Sequence, residues 1–288
     1  MANIFNLPDF MFTGIDSKNL SKIKKIAFLL KGLFLSYVHK KTDKKLFCRI
    51  LNIFYSSDGK IYYENGKYFK TISENKILYF PNKRIDRVVV DYKKHLSNLL
   101  DQYSIQDFKL NEKDLVIDCG ANVGELYFSL SALTKNFDYI AFEPDPKAFE
   151  CLLMNLDNDK NKLYNVALSD NEGQTKLFID TFGANSSIEF FGKDRHVLVE
   201  TRTLDSFNFE KAKLIKLEAE GHELEILNGS VNTLKRTEFI TVDYGPEKGE
   251  KGKMTLPEVT NFLYQNGYVI ENSSSKRFTS LFKNLNFP

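Results

Sequence analysis

The chain has 288 residues, 42% of them hydrophobic and 27% charged, enough to bury a sizeable core as one large domain or one domain plus an extension. A net charge of +2 makes no case for a nucleic-acid partner. Cys48, Cys119 and Cys151 are too few and too scattered for a disulfide framework or a zinc site, and they read as small apolar residues of a reducing compartment. The Met1 end has no secretory leader pattern, so the expectation is a cytoplasmic protein.

Residues 1–16 look irregular. Residues 17–41 read as a helix, with Ser17 or Asn19 as cap and Ile23, Ile26, Leu30, Leu33, Phe34 and Val38 at helical spacing. Its apolar run is broken by Lys31 and is too short to span a bilayer. Lysines flank it, which allows a peripheral membrane contact at an inner membrane face. The reading preferred here is an extra helix packed on the domain or on a second copy, giving a homodimer. Residues 46–82 are expected to hold two or three strands, with Asn65-Gly66 as a hairpin turn. Apolar spacing from Val88 to Leu100 predicts a helix over 84–103, and the boundary to the main domain is placed at 105/106.

The main domain opens with Leu115-Val-Ile-Asp118, an apolar run that ends on an acid. Gly120 and Gly124 follow, then an apolar-periodic stretch from Leu126 to Leu133. This reads as a strand, a glycine turn and a helix, in which Gly120 allows close backbone approach and Gly124 packs the helix start on the sheet. The spacing is G-x-x-x-G with no Gly-Lys-Ser/Thr after it, which excludes a P-loop and departs from the dinucleotide fingerprint. A second strand, Asp138–Glu143, also ends on an acid, at the place of a ribose-binding carboxylate. Leu163–Leu168, Lys213–Leu217 and Phe239–Val242 read as further core strands, followed by Asp170, by Glu218 and Glu220, and by Asp243. Short β segments at 175–180, 187–191 and 197–203 lie between them, and a helix at 257–266 and strands near 268–270 and 278–282 close the chain. The alternation predicts a doubly wound, mostly parallel α/β sheet with its ligands beyond the carboxyl ends of the strands.

Val-Ile-Asp-Cys-Gly-Ala-Asn-Val-Gly124, Phe-Glu-Pro-Asp-Pro146 with Asn155, Asn165-Val-Ala-Leu-Ser-Asp170, Thr203-Leu-Asp205 and Lys216-Leu-Glu-Ala-Glu-Gly-His-Glu together resemble the FkbM family of S-adenosylmethionine-dependent methyltransferases. The resemblance covers roughly 106–270. It implies a class I methyltransferase fold, Rossmann-like, with residues 1–105 as an N-terminal helical and β-hairpin extension. It further implies S-adenosylmethionine as cofactor, with Asp118, Gly120, Asn122 and Gly124 beside the methionine portion, Glu143 on the ribose, and Ser169 and Asp170 at the adenine. The family's Asp-x-Glu-Gly stands here as Glu218-Ala-Glu-Gly221.

An alcohol acceptor needs a base or a metal within hydrogen-bond reach. Glu220, Glu218 and His222 are the catalytic candidates in that order, with Asp243 and Tyr244 as substrate-binding residues. His222 could equally be a solvated first-turn residue, and carboxylates such as Glu220 and Glu223 are favoured at helix N-termini by the dipole alone. A cation on Glu218, Glu220 and Asp243 is conceivable, but the spacing demands none. The expected activity is O-methylation of a sugar hydroxyl of a surface glycan or its precursor. The alternatives are methylation of a secondary metabolite or phosphorylated small molecule, and a non-catalytic module in glycan assembly.

Overall fold

The computed structural model describes Met11 and residues 21–73, 76–156, 161–180, 186–192 and 194–287. The irregular segment expected at 1–16 and the caps Ser17 and Asn19 lie outside these residues, apart from Met11. The chain divides into two compact units, Met1–His95 and Leu96–Pro288. No helix of the described residues is long and apolar enough to cross a membrane.

In the first unit α1 runs Lys22–Lys41, with the Ser21 side chain accepting from the Lys24 N–H. A second helix, α2 (Lys44–Phe54), precedes the expected strands and had not been expected itself; it buries Phe47, Cys48 and Leu51 at helical spacing. The Asn52 side chain on α2 pairs with the backbone of Ile61 through both its amide atoms. Strands β1 (Ile61–Glu64), β2 (Lys67–Ser73) and β3 (Lys76–Phe80) form an antiparallel sheet, with β1 and β2 joined at the expected Asn65-Gly66 turn, both residues at positive φ.

The single helix expected over 84–103 is instead a 3-10 segment, Lys83–Val88, followed by α3 (Tyr92–Gln102). A continuous helix would bond the Tyr92 N–H to the Val88 carbonyl. Here the buried Lys70 Nζ donates to that carbonyl at 2.6 Å, and the Tyr92 N–H goes to Asp58 Oδ2 at 2.7 Å. Lys70 and Asp58 pair with each other at 2.8 Å. An ion pair has thus taken both halves of the missing helical bond.

In the second unit the elements follow as β4 (Leu115–Cys119), α4 (Glu125–Leu130), β5 (Asp138–Phe142), α5 (Pro146–Asn155), β6 (Lys162–Tyr164), β7 (Ala167–Leu168), β8 (Gly173–Phe178) and β9 (His196–Arg202). Then come β10 (Ala212–Leu217), α6 (Glu223–Asn228), α7 (Val231–Leu234), β11 (Thr237–Asp243), β12 (Pro246–Lys248), β13 (Lys253–Met254), α8 (Leu256–Gln265), β14 (Tyr268–Ser273) and β15 (Thr279–Asn284). The main sheet has the order β14-β15-β11-β10-β4-β5-β6 and is parallel except for β15, which runs against both its neighbours. This is the expected doubly wound, mostly parallel α/β architecture.

The third core strand expected at 163–168 is split. β6 stays in the main sheet, while β7 joins β8 and β9 in a separate sheet of order β7-β9-β8. Asn165 lies at the split, and its side chain donates to the Glu143 carbonyl at 2.8 Å. Ser187 makes only an isolated bridge to Phe178, so no strand forms at 187–191. Residues 103 and 104 are tied to the second unit's sheet, the Tyr103 carbonyl accepting from Thr241 Oγ1 at 2.6 Å and the Ser104 carbonyl from the Asn272 amide at 3.4 Å.

One sheet face carries the apolar core: Ile117, Cys119, Ile140, Phe142, Ile215, Leu217, Ile240 and Val242. Alternation sends Asp118 and Lys216 to the opposite face, where they sit opposite each other in register. All three cysteines are buried and free.

Candidate active site

The glycine turn after β4 is held from both sides. The N–H groups of Gly120 and Ala121 both donate to the Phe142 carbonyl, at 2.9 and 3.0 Å. On the other side the turn passes so close to β10 that a Cβ on Gly120 would lie 1.9 Å from the Glu218 carbonyl oxygen. With φ at +79° as well, only glycine fits. Gly124, at φ +88°, begins α4, and its missing Cβ makes room for Leu152 and Leu156 of the α5 segment, not for the sheet as expected.

Glu143, at the end of β5, is buried and accepts two backbone N–H groups, Asn122 at 2.7 Å and Asp145 at 2.8 Å. Burial is the main influence on it and raises its pKa to about 7; the charge of Asp145 adds to this, and the two N–H bonds oppose it. Asn122, at φ +50°, thus joins the turn to the carboxylate.

Asp118 has a different position from the one the sequence suggested. It is fully buried, accepts from the Tyr139 hydroxyl and pairs with Lys216 Nζ at 3.0 Å. It therefore lies beneath the turn and does not face a ligand beyond the strand ends. Lys216 also donates to the Gly120 carbonyl at 2.6 Å. Burial works against the Lys216 charge, but Asp118 and Glu218 outweigh it and hold the ammonium above its ordinary range. Glu218 is surrounded by donors: the Tyr103 hydroxyl, the Arg277 guanidinium, and Lys216 at 3.4 Å. The geometry makes it an anchor more than a base.

Glu220 is half-buried at φ +51°, and its carbonyl accepts from Ser187 Oγ at 2.9 Å. The turn it occupies is clasped by Glu223, whose Oε1 accepts the N–H groups of Ala219 and Gly221, each at 3.0 Å, while Oε2 accepts from Thr255 at 2.9 Å. Both ring nitrogens of His222 are engaged, Nε2 with Ser169 Oγ at 3.1 Å and Nδ1 with Glu189 Oε1 at 3.0 Å. His222 thus joins Ser169 to the 186–192 segment through both its ring nitrogens. Asp170 is exposed, its carboxylate taken by Asn171 and Ser169.

Asp243 ends β11. Its Oδ1 accepts the Gly245 N–H at 3.1 Å, and Oδ2 contacts the Arg277 guanidinium. Burial first, then the charge of Glu218, raises it to about 6. The Glu247 carboxylate lies close by, because a Cβ on Gly245 would stand 3.4 Å from Asp243 Oδ1 and 3.5 Å from Glu247 Oε1. Burial and then Asp243 raise Glu247 to about 7. Lys248, next in the chain, crosses directly over Gly221. Tyr244, expected to bind substrate, turns its ring into the core and its hydroxyl onto Ser280. Among the described residues, Glu189, His222 and Glu225 have cation-compatible spacing, whereas Glu218, Glu220 and Asp243 do not form such a set. Lys248 already holds Glu225 Oε1 at 2.9 Å.

Sequence reasoning passed over Lys216, Tyr103, Arg277 and Glu247. The one signal available was Lys216 itself, a charge inside the apolar run Leu214-Ile-Lys-Leu217 that demands a buried partner.

Comparisons with known proteins show the family. The methyltransferase FkbM domain matches residues 118–270. Over 226 residues the chain is 24% identical to the 2-O-methyltransferase NoeI of Sinorhizobium fredii, spanning 69% of this chain and 90% of that protein. Over 138 residues it is 28% identical to the hexuronic acid methyltransferase AglP of Haloferax volcanii, spanning 46% of this chain and 56% of that one. Among solved structures, the methyltransferase FkbM from Methylobacillus flagellatus aligns at 16% identity with a TM-score of 0.44, over 68% of this chain and 56% of that one. The domain match runs from the buried Asp118 past the Glu218–Glu223 turn and Glu247, over more than half of the sequence, and the chain belongs to the FkbM family of methyltransferases.

Proposed function

We propose that the protein uses S-adenosylmethionine to methylate a hydroxyl of a sugar, within a glycan or its precursor. The observation that carries the cofactor half is Glu143. It is a buried carboxylate beside a glycine turn too tightly packed for any side chain, and it accepts two backbone N–H groups. Such a carboxylate retains acceptor capacity for a ribose diol, so the residues present fit the cofactor. The sugar acceptor is supported by the names of the two relatives, a 2-O-methyltransferase and a hexuronic acid methyltransferase.

The bound cofactor supplies an electrophilic methyl group. This chain must hold the acceptor in line and take its hydroxyl proton. Glu218 is held by Arg277, Tyr103 and Lys216, and His222 lies between Ser169 and Glu189; Glu247 and, after it, Glu220 are the groups assigned to receive that proton. Glu247 is favoured because its pKa of about 7 suits a base at neutral pH. Arg277, between Glu218 and Asp243, would orient acceptor hydroxyls.

The test combines calorimetry with S-adenosylmethionine and methyl transfer to a panel of hexose and hexuronic acid acceptors. Glu247→Gln should lower turnover by about two to four orders of magnitude with cofactor affinity retained, as for loss of a general base. Should Glu220→Gln alone have that effect, the base is Glu220. Absence of cofactor binding by the wild-type protein would overturn the whole reading.

A further inference from the structure

Helices α1 and α2 carry an outward apolar stripe. Ile23, Ile26, Leu30, Leu33, Phe34 and Tyr37 recur every three or four residues on one side of α1, and Ile23 is 80% exposed, Leu30 62% and Tyr37 62%. The buried residues of α1, Gly32, Leu35 and Val38, lie on another side. On α2, Leu46 and Ile53 point outward, Ile53 being 77% exposed. The two stripes meet where the rings of Phe34 and Phe54 come within 5.8 Å.

Charge gathers on the same two helices. Residues 21–54 hold nine Lys and Arg against the single acid Asp43, a net +8, so the remaining residues carry a net −6 within the chain's +2. Asp43 is itself bonded to the Tyr68 hydroxyl and caps α2. Lys22, Lys24 and Lys25 stand at one end of α1, Lys40 and Lys41 at the other, and all are exposed.

We propose that α1 and α2 dock the protein on an anionic membrane surface, the apolar stripe entering the headgroup layer and the flanking lysines meeting anionic headgroups. A second copy, the occupant expected from the sequence, would bring the same +8 surface against itself in an isologous contact. A nucleic acid would match the lysines but leave six large apolar side chains of α1 in water. An anionic bilayer satisfies both features at once. Membrane docking of this kind is independent of the acceptor assigned above.

The test is flotation of the full-length protein with vesicles of phosphatidylcholine alone or of phosphatidylcholine with phosphatidylglycerol, at low and high salt. Partition should be at least about tenfold stronger with the anionic lipid and should fall with salt. Leu30→Glu combined with Ile53→Glu changes only exposed positions and should lower partition about tenfold or more. Lys24→Glu with Lys25→Glu should also lower it and flatten the salt dependence. Equal partition of wild type and both variants, no vesicle binding, retention on DNA instead, or a dimer that Leu30→Glu dissociates would each overturn the proposal.

Discussion

Glu143 offers the sharpest test of the site, because burial has stored a measurable free energy in its ionisation. Its carboxyl is raised from 4.5 to about 7 in the folded protein, and burial is the largest cause. A folded-state pKa above the unfolded one means that the contribution to stability is fully present below about pH 4.5. It is lost as the pH rises through about 7, because the native state binds a proton that the unfolded state has released. Each tenfold change in proton affinity is worth about 1.4 kcal/mol, so the loss from Glu143 alone comes to about 3 kcal/mol. Glu143→Gln removes the ionisation and keeps one acceptor oxygen for Asn122 or Asp145. Urea unfolding at a series of pH values, followed on the transition of the second unit, should therefore show the variant gaining about 2–3 kcal/mol relative to wild type between about pH 5 and pH 8. Asp243 and Glu247 titrate in both proteins and drop out of the difference. Cofactor affinity should fall in the variant above about pH 7, where the wild-type carboxyl is ionised, since a ribose diol prefers an ionised acceptor. Parallel pH profiles with unchanged affinity would refute both the burial argument and the role.

Lys216→Met should destabilise the protein by about 3–5 kcal/mol, because Asp118 is left buried with Tyr139 as its one partner among the described residues; a chemical denaturation curve within about 1 kcal/mol of wild type, the net worth of a single hydrogen bond, would contradict this. Glu223→Gln should be tolerated, since the amide oxygen can accept from Ala219 and Gly221 while its NH2 turns to the Thr255 hydroxyl. Glu223→Ala should cost about 2–4 kcal/mol for two orphaned N–H groups and should depress turnover. Gly120→Ala should abolish cofactor binding in calorimetry, because its Cβ can only fit if β10 or the turn moves.

The elements legible in the sequence were those whose signal is local. The β4 and β5 segments, the glycine turn and the Asn65-Gly66 hairpin all stand where spacing placed them. The break before α3 was not legible, because it depends on Lys70 and Asp58 arriving from elsewhere in the chain to take the bond between Val88 and Tyr92. The departure of β7 from the main sheet was hidden for a related reason, since the sheet that receives it is built from β8 and β9 further along the chain. In the site, strand ends located Glu143, Glu218 and Asp243 correctly at the carboxyl edge. Face was harder to read than edge: Asp118 looked like a ligand-facing acid, but the strand's alternation turns it toward Lys216. Tyr244 misled in the same way, its polar tip being satisfied inside by Ser280.

The acids at this edge differ in role because of how the cations are shared among them. From β4 outward the charges alternate: Asp118, Lys216, Glu218, Arg277, Asp243. Asp118 has Lys216 beside it, and Glu218 lies between Lys216 and Arg277. Both are paired with cations and position the glycine turn and the β10 end. Asp243 must share Arg277 with Glu218, and for Glu247 the repulsion of Asp243 and Glu218 adds to its burial and outweighs the pull of Arg277. Proton affinity therefore collects at the β11 end of the row, at about 6 and about 7, within the range a base needs at neutral pH. The charge order thus separates two tasks along one sheet edge. In the proposed reaction the β4 end would hold the backbone that cradles a cofactor, and the β11 end would offer carboxylates to exchange a proton with an acceptor.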